Sequence, residues 1–137
     1  MLSQKARYAL RAMLALASAR DTDEPVQTAD LAERAAVPRK FLERILIDMR
    51  RAGIVRSIRG RAGGYLLARP PEAINFAEIV RIVDGPLALA PCASRTAYRK
   101  CADCKNVRTC EIRQALLAVR DATAAILERR TLAGQRA

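Results

Sequence analysis

The chain has 137 residues, with 25 Lys and Arg against 14 Asp and Glu, a formal charge of +11, four cysteines and no histidine. That length suits one domain with an appended arm, the 51% apolar content can build a core, and no apolar run approaches the ~20 residues that span a bilayer. The missing histidine excludes Ser–His–Asp and Cys–His catalysis and every His-containing zinc site.

The N-terminus is leader-like in its apolar content, but Lys5, Arg7 and Arg11 interrupt it, so a cytoplasmic location is expected. Residues 3–19 predict a helix. Ser3 suits its N-cap, and Ala6, Leu10, Met13, Leu14 and Ala17 follow helical spacing. The polar stretch 20–27 reads as a loop. Thr28 is expected to cap a short helix with Leu31, Ala32, Ala35 and Ala36 on its apolar side. Pro38 then suits the first position of a helix that runs to about Ala52 and stops at Gly53. Its inward positions are Phe41, Leu42, Ile45, Leu46 and Met49. Its outward side carries Arg39, Lys40, Glu43, Arg44, Arg50 and Arg51.

Two strand-like runs, 54–59 and 65–68, enclose a Gly-rich turn at 60–64, and Pro70 and Pro71 end the unit. Residues 74–84 predict another amphipathic helix, with Ile74, Ala77, Ile79, Val80 and Val83 apolar, closed by Gly85 and Pro86. Residues 86–110 hold all four cysteines and little regular pattern. A last helix is predicted over 111–130, and the remaining TLAGQRA reads as a frayed tail. Helix, short helix, helix and hairpin in this order make a mainly α fold, a winged helix-turn-helix with a two-stranded wing. The chain divides into a DNA-binding unit at 1–84, a cysteine-bearing loop at 85–110, and a C-terminal dimerisation helix with its tail at 111–137. In that helix Ile112, Leu116, Val119, Thr123 and Ile126 repeat with four–three spacing, a seam for a partner helix or for packing on the same subunit.

The surplus charge is local. Residues 34–69 hold ten cations (Arg34, Arg39, Lys40, Arg44, Arg50, Arg51, Arg56, Arg59, Arg61 and Arg69) against Glu43 and Asp48, a net +8. A membrane-surface helix would set such charge against a broad face of Trp, Phe and Leu. Here the charge straddles a helix, a turn and two strands, which suits a folded reader of double-stranded DNA and no membrane. The first turn of the 38–52 helix would present Arg39, Lys40, Glu43 and Arg44 to base edges. Glu43 either accepts from cytosine or pairs with Arg39, four residues earlier. Arg59 and Arg61 flank the wing glycines and suit a narrow minor groove. Lys5, Arg7, Arg50, Arg51 and Arg56 are candidates for phosphate contacts.

Cys92, Cys101, Cys104 and Cys110 are separated by eight, two and five residues, and no cysteine lies elsewhere. Clustering argues for a shared task. Spacing leaves three readings open: an iron–sulfur cluster held by thiolates, a Cys₄ zinc site, or a thiol switch using the Cys101–Cys104 C-x-x-C pair. The cations Arg95, Arg99, Lys100, Lys105 and Arg108 around them, against Asp103, are expected to favour thiolate. A C-x-x-C oxidoreductase is set aside, because its βαβ context is missing.

The residues LSQKARYALRAMLALA, FLERILIDMRRAGIVRSIRGRAGGYLLAR and INFAEIVRIVDG, followed by a cysteine-bearing loop, resemble an Rrf2-family transcriptional regulator, the group that includes IscR, NsrR and RirA. The resemblance covers about residues 1–130, and the wing segment is its most specific part. It implies a homodimer, a winged helix in each subunit and a long C-terminal dimerisation helix. It also implies three cysteines holding a [2Fe–2S] or [4Fe–4S] cluster whose state changes promoter binding, although some members carry none. Cys104 and Cys110 match the family's C-x₅-C step, and Cys92 sits where its first ligand is expected. The fourth ligand of relatives, a histidine or an acidic residue near the N-terminus, has no counterpart, since the chain lacks histidine and position 8 is Tyr8. Cys101 is extra: either a replacement ligand or a resolving thiol. For DNA, the resemblance points to Glu43 and to Arg59.

Overall fold

The computed structural model describes residues 2–135. Five helices carry the fold: α1 (Gln4–Ser18), α2 (Thr28–Ala35), α3 (Arg39–Arg51), α4 (Phe76–Asp84) and α5 (Glu111–Arg129). Strands β1 (Val55–Ile58) and β2 (Gly64–Leu67) form an antiparallel wing in which Val55 faces Leu67 and Ile58 faces Gly64. The mainly α, winged helix-turn-helix architecture with a long C-terminal helix is therefore present.

Local chemistry explains most of the boundaries. Ser3 caps α1 through its hydroxyl, which accepts from the Ala6 N–H at 3.0 Å. The same residue also donates from its backbone N–H to Asp84 at 2.9 Å, joining the start of α1 to the end of α4. Asn75 caps α4 by accepting from the Glu78 N–H at 2.9 Å. α3 ends in a Schellman motif: Gly53, at φ +77°, donates to Arg50, and Ile54 donates to Met49. Between α2 and α3, Ala36 takes a left-handed conformation that turns the chain sharply.

Two capping expectations need correction. Thr28 is the first residue of α2, not its cap. The N-cap is Gln27, whose side chain donates instead to the Arg61 carbonyl at 3.1 Å and so holds the wing. Pro38 is the N-cap of α3 rather than its first residue, because its carbonyl accepts the opening helical bonds from Phe41 and Leu42.

The core lies between α1, α2, α3 and α4. Met13, Leu31, Leu42, Ile45, Leu46, Met49, Ile54, Ile74 and Ile79 are fully buried there. Burying each such side chain contributes about 1.5–3 kcal/mol. Phe41 is not among them. It was expected to point inward, yet it is 50% exposed. The buried stripe of α3 is 42, 45, 46 and 49, and residue 41 sits ~100° around the helix from 42.

The tail also departs from expectation. Instead of fraying, β3 (Arg130–Thr131) and β4 (Gly134–Gln135) form a small hairpin. Thr131 bridges to Asn75, Leu132 is buried, and the Leu132 N–H donates to the Ile74 carbonyl at 3.0 Å. The last two residues of the predicted tail, 136 and 137, lie outside the described residues. Among the described residues no helix is long and apolar enough to cross a membrane.

Candidate nucleic-acid interface

The basic segment folds into two adjoining surfaces, the outer face of α3 and the wing. Arg34 pairs with Asp30 at 3.0 Å, Arg39 with Glu43 at 3.4 Å, and Arg69 with Glu78 at 2.6 Å. Among the described residues no ion pair engages Lys40, Arg44, Arg50, Arg51, Arg56, Arg59 or Arg61, and all of them are exposed. The available positive charge is thus narrower than the sequence segment. It sits on α3 and on the wing. Arg7 is likewise exposed. Lys5, a candidate phosphate contact, is instead paired with Asp48 of α3 at 2.7 Å. Glu43 makes the ion pair with Arg39 that four-residue spacing allows.

The wing is held from behind. Val26 and Tyr65 exchange two backbone hydrogen bonds, at 3.0 and 2.9 Å, so the loop before α2 adds a third strand position to the hairpin. This contact was not foreseen. Its only sequence signal is an isolated Val after Pro25. It requires a very close backbone approach. A Cβ at Gly64 would stand 2.4 Å from the Val26 carbonyl oxygen, and one at Gly63 would stand 2.2 Å from that of Ile58. The glycines therefore set the hairpin's position, which projects Arg59 and Arg61 at its tip.

The cysteine loop lies along α5. One short turn (Pro91–Ala93) buries Cys92. The Arg113 Nε donates to the Cys92 carbonyl at 3.0 Å, and the Arg113 guanidinium lies 5.8 Å from the ring centre of Tyr98. Cys110 is the N-cap of α5, its sulfur accepting from the Arg113 N–H at 3.4 Å. All four thiols are free. The pKa of the Cys101 thiol is raised above its ordinary value, chiefly by its interaction with Cys92 and further by burial and the charges of Asp103 and Cys104. The expectation that flanking cations favour thiolate therefore fails at Cys101. One of those cations, Arg95, is turned away onto Asp121. Among the described residues no group of three or more Cys, Asp or Glu side chains gathers to hold a metal ion. Among the described residues the loop in this conformation makes Cys101 interact most strongly with Cys92 and does not gather Cys92, Cys104 and Cys110 at one metal site.

A winged helix-turn-helix carrying this wing matches a known family model. The Rrf2 model, described as an iron-dependent transcriptional regulator, matches residues 2–134. The chain belongs to the Rrf2 family. It is thus a DNA-binding transcription regulator and not an enzyme. An rrf2-like HTH-type regulator of Rhodobacter capsulatus is 47% identical over 116 residues, covering 83% of this chain and 77% of that one. Among solved structures, CymR, titled the global cysteine regulator of B. subtilis, superposes with a TM-score of 0.77 at 29% identity, covering 97% of this chain and 93% of CymR. T. potens IscR superposes with a TM-score of 0.75 at 28% identity, covering 97% and 83%. The chain spans only 53–54% of the length of several other regulators it matches.

Proposed function

We propose that this Rrf2-family protein binds an imperfect DNA palindrome as a homodimer in the cytoplasm, and that its 85–110 loop reports iron, redox state or nitric oxide to the DNA-binding unit at 1–84. The observation that carries the reading is the unpaired cation surface shared by α3 and the wing tip. Lys40, Arg44, Arg50 and Arg51 face outward from one helix, and Arg59 and Arg61 stand beside it. A helix of this width enters the major groove, and a hairpin tip reaches the flanking minor groove or backbone.

The dimer reading rests on α5. Ile112 is 73% exposed, Val119 46% and Ile126 60%, all on the four–three seam. An apolar row of this kind marks a surface that a partner covers. A groove of about 530 Å³ lined by Leu2, Val80, Leu87, Val119 and Leu127 lies beside it. A second α5 supplies a matching apolar face, and a twofold dimer matches a palindromic site.

For the loop, the leading reading is an iron–sulfur cluster held by Cys92, Cys104 and Cys110, with Cys101 as a fourth thiolate. It is supported by the family's iron-dependent description and by similarity to IscR. The residues as folded do not offer three thiolates to one point, so the cluster requires the loop to rearrange. A second reading, a metal-free thiol switch, is favoured by the Cys92–Cys101 interaction and by similarity to CymR. A Cys₄ zinc site is the third.

Ultraviolet–visible spectroscopy with metal and sulfide analysis on anaerobically prepared protein separates them. Visible charge-transfer absorption with bound iron and sulfide supports the cluster. Colourless protein with one zinc per chain supports the zinc site. Metal-free protein that forms a Cys92–Cys101 disulfide on mild oxidation, seen by mass spectrometry, supports the switch.

A further inference from the structure

Phe41 occupies a place that the contacts above do not use. It is the third residue of α3, and half of its surface meets solvent, whereas Leu42, Ile45, Leu46 and Met49 of the same helix are buried. An exposed aromatic ring is unremarkable alone. Its surroundings make it specific. It leans on Tyr8 of α1, with ring centres 6.0 Å apart and planes tilted by 44°. Together with Tyr8 it lines a pocket of about 330 Å³ shared with Gln4, Lys5, Lys40 and Arg44. Among the described residues Lys40 and Arg44 carry no ion pair. Whatever covers the ring must therefore present an apolar group between anionic ones.

Duplex DNA has that composition in one place. Base edges in the major groove are polar except for the thymine C5-methyl, and phosphates line both rims. We propose that Phe41 is a specificity-determining residue that packs its exposed edge on a thymine methyl in each half-site, while Lys40 and Arg44 hold the adjacent phosphates. The Tyr8 ring packed against Phe41 restrains its orientation before binding, so less side-chain freedom is lost on contact. This inference rests on α3 being the groove helix. It adds a base-reading role that hydrogen-bonding residues cannot supply, because adenine–thymine and adenine–uracil pairs present the same donors and acceptors there.

The test uses that equivalence. The full-length wild-type protein selects binding duplexes from a randomised library, and each thymine of the recovered site is then replaced singly by deoxyuridine. Loss of one buried methyl weakens binding about fourfold. The expected result is one such position per half-site for the wild type, and no difference between thymine and uracil there for Phe41→Ala and Phe41→Gln. The Gln variant keeps side-chain length at an exposed helical position, so it reports even where Ala disturbs the Tyr8 packing. A recovered site that tolerates uracil at every thymine overturns the role of Phe41 while leaving DNA binding standing. Persisting methyl discrimination in folded Phe41→Gln does the same. A library that yields no enriched sequence overturns the groove-helix reading, and this inference with it.

Discussion

The Arg95 guanidinium holds the Asp121 carboxylate with two bonds, Nε to Oδ1 at 2.8 Å and Nη2 to Oδ2 at 2.7 Å. It fastens the cysteine loop to the middle of α5. The Asp121 carboxyl is pulled down to about 2, first by the hydrogen bond from Arg95 and then by that from Arg120. Because this folded-state value lies below the ordinary 3.8, the contact is fully present above that value and is lost as pH falls through about 2. Amide protection factors in residues 93–99, relative to the intrinsic exchange rate at each pH, should fall between these limits. At neutral pH, Asp121→Asn should quicken the same amides, and high salt should weaken their protection in the wild type.

The wing should be intolerant of a single methyl at Gly64. That Cβ would meet the Val26 carbonyl at 2.4 Å, and the backbone there stands at φ +150°. Gly64→Ala should cost about 2–4 kcal/mol in urea unfolding, and DNA affinity should drop with it. Gly60→Ala is the control. A Cβ at Gly60 meets nothing within 4 Å, so only its positive φ opposes the change, at about 1 kcal/mol.

Arg59 and Glu43 should separate in fluorescence-anisotropy titrations. Arg59→Ala should weaken binding by about 1–3 kcal/mol and relax preference most at an A·T-rich flank. Glu43→Ala should alter base preference by a similar amount where Glu43 reads a base. If the Arg39 pair seen at 3.4 Å is its whole role, only a few tenths of a kcal/mol of helix stability should change.

On the seam, Val119→Glu places a charge in the middle of the proposed helix–helix contact. Analytical ultracentrifugation should show monomer where the wild type sediments as a dimer, and operator affinity should collapse with it. A variant that stays dimeric removes the seam from the interface.

Leu132 should behave as a core residue despite its place five residues from the end of the sequence. Leu132→Ala should lower stability by about 2–3 kcal/mol, read as a lower midpoint in thermal unfolding.

Much of the DNA-binding unit was legible in the sequence because its signals are local. Ser3 caps within three residues of itself, Gly53 ends α3 through bonds to its immediate neighbours, and the wing glycines announce a turn. The α3 stripe was legible except at Phe41, where one apolar residue on the flank of a helix reads the same whether or not a neighbour covers it. The tail was misread because Leu132 is anchored by Ile74, far away in sequence, and nothing in TLAGQRA reports that partner.

The sequence by itself determined the order of elements, the +8 segment at 34–69 and the presence of four clustered thiols, since period, capping and charge are properties of neighbouring residues. Folding in three dimensions settled which of those cations remain unpaired, that Val26 props the wing, and that Cys101 interacts with Cys92. Each of these depends on which distant side chains share a few ångströms, and spacing along the chain does not set that distance.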